Sequence, residues 1–271
     1  MQDRNRLAII GAGNIGTAIA NGLLDSGIYR PEDLILTRKK TELLASFADR
    51  GCNIVQDNLE AIASAEIVLI AVEPQQFDAL MAEISGSFRD GKKMIISVVS
   101  GVSIGQIKDM VNDRTPVIRA MPNTAIAVRE SMTCITARES DQPALESARK
   151  IFDTVGISLE IREEQMTAAT ALGACGIAFF LRAIRAASQG GIEIGFHAQD
   201  ALKIAAQTAK GASVLLQKMR KHPEFEVDNV TTPRGCTISG LNQLEHEGFS
   251  SAMIKGIVVS AEKAAKLYQN E

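Results

Sequence analysis

Short apolar runs rich in β-branched residues alternate with helical patterns from residue 7 to about residue 159, and this alternation restricts the fold more than any other feature. Parallel strands need crossover connections, which helices usually supply, so the alternation predicts a mostly parallel, doubly wound α/β sheet with helices on both faces. The predicted strands are LAII, LILT, EIVLIAV, KMIISVV, PVIRAM, MTCITA and GISLEI, and the predicted helices between them are NIGTAIANGLLDSG, TELLASFADRG, QQFDALMAEI and PALESARKIFDTVG.

Strand patterns stop after Glu163, and the rest of the chain has helical spacing only. We therefore expect two domains, residues 1–160 and residues 161–271, of which the second is all α-helical. Small residues surround much of these helices, so their surface packs either on another subunit or inside one compact bundle. The predicted helices cover residues 165–188, 199–219, 237–246 and 251–268.

Composition excludes several classes of function. The net charge of -3 and the absence of tryptophan disfavour a nucleic-acid surface. The three histidines and the four cysteines are scattered, so neither a metal site nor a Ser-His-Asp triad is expected. The N-terminus lacks a signal-peptide core, and the longest apolar stretch, residues 168–181, is shorter than a bilayer span. The sequence thus predicts a cytoplasmic protein without a membrane partner.

Three glycines follow the first predicted strand and open the next helix, in the motif GAGNIG. Gly11 allows a tight turn, Gly13 allows backbone to approach a pyrophosphate, and Gly16 allows the helix to pack closely on the strand. The start of this helix also presents free N–H groups and a positive dipole end to phosphates. In this strand-and-helix context the motif predicts a dinucleotide-binding, Rossmann-like domain.

The second strand ends without the acidic residue that NAD enzymes usually carry there. Thr37, Arg38 and Lys39 suit a 2′-phosphate instead, which favours NADP(H) and keeps NAD(H) and a merely solvated basic turn as alternatives. Ligands of such folds lie beyond the carboxyl ends of the strands. The candidate cofactor contacts are Gly11, Ala12, Gly13, Asn14, Ile15, Gly16, Thr37, Arg38, Lys39, Ala71, Val72, Pro74, Val98, Val99, Ser100 and Asn123.

The segment TTPRGCTISGL, residues 231–241, combines a turn with the start of a helix. Pro233 and Gly235 form the turn, and the N–H groups that follow suit an anion. Thr232 and Thr237 add hydroxyl donors. The alternative is that the threonines and the cysteine only cap the helix.

Over nearly its whole length the chain resembles the pyrroline-5-carboxylate reductases. The resemblance rests on GAGNIGTAIANGL, AVEPQ, IRAMPNTA, GGIEIGF, QTAKGAS, HPEFEVDNVTTPRGCTISGLNQLE and EGFSSAMIKGI. It implies a Rossmann domain followed by a helical dimerisation domain, with dimers often assembled into rings. It also implies NAD(P)H-dependent reduction of 1-pyrroline-5-carboxylate to L-proline, the last step of proline biosynthesis.

The resemblance also gives roles to individual residues. It places the catalytic donor, Thr237, at the imine nitrogen of a small imino-acid substrate, and it adds Asn58 and Asn229 to the cofactor contacts. The expected substrate contacts are Glu163, Gly173, Gly176, Thr232, Gly235, Cys236 and Thr237.

Several positions depart from the family pattern, including Glu73 in place of a lysine and Thr167 in place of an aspartate. GACGIA, residues 173–178, lacks two hydroxyls and a proline, and Arg234 replaces a turn glycine. If Arg234 has the positive φ of a glycine, backbone strain is expected there. The departures leave two alternatives open: reduction of another cyclic imine, or an NADP-binding regulatory protein with weakened catalysis. A hydroxyacid dehydrogenase is disfavoured because Arg182, which cannot act as a base, stands where such enzymes carry a catalytic lysine.

Overall fold

The computed structural model describes residues 5–266, which form two compact units. The sheet unit comprises the described residues up to Cys175 and those from Ser260 onward, and the helical unit comprises Gly176–Val259. The predicted boundary near residue 160 stays a prediction.

The sheet unit contains one eight-stranded sheet in the order β3-β2-β1-β4-β5-β6-β7-β8. All neighbouring strands are parallel except β6 and β7, which a short 3-10 turn, Thr124–Val128, joins as an antiparallel pair. The predicted doubly wound, mostly parallel sheet is therefore confirmed. The strands are β1 Leu7–Ile10, β2 Leu34–Thr37, β3 Asn53–Val55, β4 Ile67–Ile70, β5 Met94–Ser97, β6 Val117–Met121, β7 Ser131–Ala137 and β8 Gly156–Glu160.

Helices cover both faces of this sheet. In β1, Leu7 and Ile9 belong to one buried cluster, whereas Ala8 and Ile10 belong to another on the opposite face. Burial on both sides explains why the central strands are continuously apolar. The helices of this unit are α1 Asn14–Ser26, α2 Ala45–Asp49, α3 Asn58–Ala63, α4 Pro74–Ile84, α5 Ile104–Met110, α6 Gln142–Phe152 and α7 Met166–Ala169.

The sequence patterns missed three short elements of the sheet unit. The edge strand β3 has only three residues, none of them fully buried, so it lacks an apolar run. The helices α3 and α5 have six and seven residues, which is too short for a clear helical period. Their signals are local caps instead: Asp57 accepts from two N–H groups of α3, and Ser103 with Gln106 forms a capping box on α5.

The helical unit consists of five helices that bury little within a single chain. Many large apolar side chains of this unit are exposed, including Phe180 at 62%, Ile194 at 78% and Ile254 at 63%. Exposure on this scale favours packing on another subunit over a self-contained bundle. The helices are α8 Gly176–Glu193, α9 Ala198–Met219, α10 Pro223–Val230, α11 Cys236–His246 and α12 Phe249–Ala264, whose last turn belongs to the sheet unit.

Two predictions for this region need correction or comment. The helix α10 was not predicted. The last two residues of the predicted helix over residues 251–268 lie outside the described residues. The apolar stretch over residues 168–181 underestimates the helix that contains it. By length and composition alone, the helical stretch Glu163–Glu193 could cross a membrane.

Candidate active site

The glycine loop after β1 has the geometry that a pyrophosphate requires. Gly11 has φ +84°, and a Cβ added there would lie 2.7 Å from Val72 Cγ1. A Cβ at Gly16 would lie 3.0 Å from Ile9 Cγ2, so this glycine allows α1 to pack on β1. A Cβ at Gly13 would meet no atom nearer than the Gly11 carbonyl oxygen at 3.9 Å. The space over Gly13 is open, and the loop therefore fits a dinucleotide.

A cleft of about 590 Å³ opens at the carboxyl ends of β1, β2 and β4. It includes the predicted cofactor residues Gly11, Gly13, Thr37, Arg38, Lys39, Asn58, Ala71 and Val72. Sequence patterns missed the wall formed by α4, although its residues repeat at helical spacing on one face. The missed residues on α4 are Gln75, Gln76, Ala79, Leu80 and Glu83, and those outside it are Ile10, Gln56 and Glu73.

A chain of hydrogen bonds runs across this cleft from the glycine loop to α4. The Gly11 N–H donates to Thr37 Oγ1 at 3.4 Å, and the Thr37 hydroxyl donates to Asn58 Oδ1 at 2.8 Å. Asn58 Nδ2 then donates to both Glu83 carboxylate oxygens, at 3.2 and 3.4 Å. Arg38 is held on the other side, where Nη1 donates to the Ala12 carbonyl at 3.3 Å. The cleft is thus a preorganised polar site.

Other predicted cofactor residues lie outside the lining of this cleft. Ala12 is fully buried, and its N–H donates to the Thr37 carbonyl at 2.8 Å. Asn14, Ile15 and Gly16 form the first turn of α1, Pro74 begins α4, and Val98, Val99 and Ser100 follow β5. Val99 is 2% exposed, and its N–H donates to the Ser97 hydroxyl at 3.3 Å, so its role as a cofactor contact stays a prediction.

Asn123, at the end of β6, connects two predicted contacts. Its Oδ1 accepts from the Ala125 N–H at 3.0 Å, and its Nδ2 donates to the Gly173 carbonyl at 3.3 Å. Gly173 lies in a π-helical segment, Thr170–Cys175. π-Helical turns occur frequently at functional sites, and here the turn brings a predicted substrate residue onto a predicted cofactor residue.

Glu163 lies in a second cavity of about 350 Å³, together with Ser103, Arg119 and Thr170. Its Oε1 accepts from the Ile104 N–H at 2.7 Å and from Arg119 Nη1 at 3.0 Å. Burial lowers the pKa of Arg119, and the contact with Glu163 opposes this shift. Glu163 thus neutralises a buried cation.

In the helical unit, the loop before α11 has an uncapped helix start. No side chain caps α11, and the Thr237 hydroxyl has no hydrogen-bond partner within residues 5–266. A Cβ at Gly235 would collide with the Thr232 hydroxyl, so this position requires glycine. Cys236 is exposed. The capping alternative therefore finds no support in these side chains, and the first N–H groups stay available to an anion.

The remaining predicted residues also lie in the helical unit. Gly176 is the first residue of α8, and Asn229 lies in α10. Asn229 Nδ2 donates to Glu226 Oε2 at 3.4 Å. The carboxylate thereby orients the Asn229 carboxamide.

Arg234 has φ +62°, a left-handed conformation that disfavours side chains with a Cβ. The backbone strain expected at this position is confirmed. The side chain is exposed and makes no ion pair within the described part of the chain. Within residues 5–266, no ion pair of Arg234 offsets this strain.

Replacing Arg234 by glycine is expected to stabilise the protein by about 0.5–1 kcal/mol, because glycine adopts positive φ without a steric cost. The denaturant midpoint measures this at a fixed protein concentration. Arg220→Gly is the matched control, since Arg220 has φ +51° at the end of α9. Destabilisation by Arg234→Gly alone would mean that the arginine makes a contact in the assembled protein.

A glycine-loop cleft at the carboxyl ends of a parallel sheet, followed by a helical unit, defines a nicotinamide-dinucleotide oxidoreductase with a Rossmann fold. Two family descriptions match the chain: "NADP oxidoreductase coenzyme F420-dependent" over residues 6–101, and "Pyrroline-5-carboxylate reductase dimerisation" over residues 163–267. A comparison with full-length relatives shows the family. The chain belongs to the pyrroline-5-carboxylate reductases, as its sequence motifs predicted.

Two relatives from Dictyostelium discoideum support this assignment. Pyrroline-5-carboxylate reductase 1 is 50% identical over 97% of the chain, which spans half the length of that relative. Pyrroline-5-carboxylate reductase 2 is 47% identical over 98% of the chain and 94% of the relative.

Solved structures agree with the assignment. The Coxiella burnetii pyrroline-5-carboxylate reductase has a TM-score of 0.91 at 26% identity, covering 99% of this chain and 100% of that one. The Plasmodium falciparum pyrroline carboxylate reductase, solved with NADP bound, has a TM-score of 0.88 at 25% identity with the same coverage.

Proposed function

We propose that the chain reduces 1-pyrroline-5-carboxylate to L-proline with NAD(P)H, the last step of proline biosynthesis. The observation that carries this proposal is the 47% identity to a pyrroline-5-carboxylate reductase along nearly the full length of both chains. The open glycine loop and its polar cleft support the proposal, because the reaction needs a dinucleotide site.

NADP(H) is the proposed cofactor, because the end of β2 provides the cations Arg38 and Lys39 and no carboxylate. The Thr37 hydroxyl is buried and donates to Asn58, so it supports the site indirectly. Arg38 is held at the loop by the Ala12 carbonyl, where its charge favours a 2′-phosphate. When bound, the nicotinamide supplies a hydride to the imine carbon. The protein's own contribution is to bind the dinucleotide, orient the substrate and exclude water.

The substrate site is proposed around the start of α11. Its N–H groups bind the substrate carboxylate, and the unpartnered Thr237 hydroxyl donates to the imine nitrogen. An imine held in this way accepts hydride without the base that an alcohol dehydrogenase needs. The other proposed substrate contacts are Glu163, Gly173, Gly176, Thr232, Gly235 and Cys236.

The proposed assembly is a cytoplasmic homodimer formed through the helical unit, from which larger rings can be built. The exposed apolar residues of α8, α9 and α12, together with the match to a dimerisation family, support this proposal. A second copy would cover the apolar surface that the single chain leaves open.

Arg234 favours one alternative, the reduction of another cyclic imino acid. The Arg234 guanidinium lies beside the proposed carboxylate site and can bind an anion. The altered segment 173–178 contains the proposed substrate contacts Gly173 and Gly176. A regulatory role without catalysis is the other alternative. It predicts nucleotide binding without turnover.

The reaction is tested by following NADPH oxidation with 1-pyrroline-5-carboxylate and with the six-membered analogue that carries the same carboxylate. We expect kcat/KM to be at least about tenfold higher for the five-membered ring, because a pocket discriminates one methylene by roughly that factor. A preference for the larger ring would indicate another imine reductase. Binding without turnover of either would indicate the regulatory role.

A further inference from the structure

Glu83 fixes the direction of the hydrogen-bond chain that crosses the nucleotide cleft. A carboxylate has acceptor oxygens only, so the Asn58 carboxamide must turn its Nδ2 toward Glu83, at 3.2 and 3.4 Å. The Asn58 carbonyl oxygen consequently faces Thr37, whose hydroxyl donates to it at 2.8 Å. The reverse orientation would place the amide oxygen against the carboxylate.

The same constraint reaches the glycine loop. Because the Thr37 hydroxyl uses its proton on Asn58, its oxygen is free to accept the Gly11 N–H at 3.4 Å. Thr37 is 2% exposed, and a buried hydroxyl needs such partners. Every donor in this hydrogen-bond chain therefore points toward Glu83, which lies on α4 and far from the glycine loop in sequence.

One group of the Asn58 carboxamide stays available to a ligand. The Thr37 hydroxyl occupies the carbonyl oxygen, and the two oxygens of Glu83 share one N–H. The second N–H of Nδ2 has no partner among residues 5–266, and Asn58 lines the cleft beside Arg38. In Rossmann folds the end of β2 faces the ribose 2′-position. The free N–H is thus a donor for an oxygen there.

We propose that Glu83 is a positioning residue for the adenosine end of the cofactor, acting through Asn58. Glu83 holds the carboxamide so that its free N–H donates to the ribose 2′-substituent. This inference rests on the proposed use of a nicotinamide dinucleotide, but it does not depend on which imine is reduced.

The test is a titration of NADPH binding, followed by the fluorescence of the nucleotide itself. Glu83→Ala is expected to raise the Kd for NADPH about tenfold, the loss typical of one hydrogen bond. Glu83→Gln keeps an acceptor oxygen for Asn58 and is expected to stay within about twofold of the parent. If both variants weaken binding equally, the charge of Glu83 matters and its positioning role is wrong.

A double-mutant cycle shows whether Glu83 acts through Asn58. In an Asn58→Ala background, Glu83→Ala is expected to have no further effect on Kd. Additive effects, or an unchanged Kd in the Glu83→Ala single variant, would overturn the inference. Titration with NADH assigns the oxygen, because a 2′-phosphate contact makes the effect larger for NADPH and a hydroxyl contact makes it equal. Binding needs no imine, so failed turnover would refute the proposed function and leave this test intact.

Discussion

Replacing Thr237 by alanine is expected to lower kcat for imine reduction about 100-fold, as the removal of one transition-state donor typically does. The structure gives the reason. The hydroxyl has no partner within residues 5–266, and the residue lies in the first turn of a helix that no side chain caps. Steady-state kinetics with NADPH and 1-pyrroline-5-carboxylate measure the effect.

Thr237→Ser is the matched control, because serine keeps the hydroxyl and loses only a methyl group. It is expected to retain kcat within about tenfold of the parent, whereas Thr237→Val keeps the shape and should behave like the alanine variant. An unchanged kcat in the valine variant would remove the hydroxyl from the mechanism. NADPH affinity serves as the internal check, since the residues that line the glycine-loop cleft all belong to the sheet unit.

Local sequence patterns predicted the fold and seven of the sixteen residues that line the nucleotide cleft, and the family resemblance added Asn58. The apolar runs predicted seven of the strands. The signal is strongest in β1 and β4, which are fully buried and contain no polar residue. The glycine motif marked the loop because strand, turn and helix are adjacent in sequence. Arg234 is a similar case. An arginine where the family has a turn glycine predicts a strained backbone, and the φ of +62° confirms this prediction.

The parts that sequence missed depend on contacts between distant residues. Glu83 reaches Asn58 across 25 positions, and Lys108 pairs with Asp141 on an element much later in the chain. Neither pair has a motif. A charged residue on a helix is usually solvated, so nothing in its immediate neighbours reveals that it is paired or buried.

The buried pair of Lys108 and Asp141 gives the largest expected effect on stability. Lys108 Nζ lies 2.8 Å from Asp141 Oδ2, and the two side chains are 2% and 5% exposed. Asp141 Oδ2 also accepts the Val117 N–H at 3.1 Å, which ties the pair to β6. Lys108→Met is expected to lower the free energy of unfolding by about 3–5 kcal/mol, because it leaves a buried carboxylate without its cation.

The double variant Lys108→Met with Asp141→Asn separates charge from packing. Asparagine keeps an acceptor for the Val117 N–H and removes the unpaired charge, so most of the lost stability is expected to return. Denaturant midpoints measured at one fixed protein concentration make the variants comparable, since stability of an oligomer depends on concentration. Equal losses in the single and double variants would mean that Lys108 stabilises the fold through its packed stem and its bond to the Asp113 carbonyl, and not through its charge.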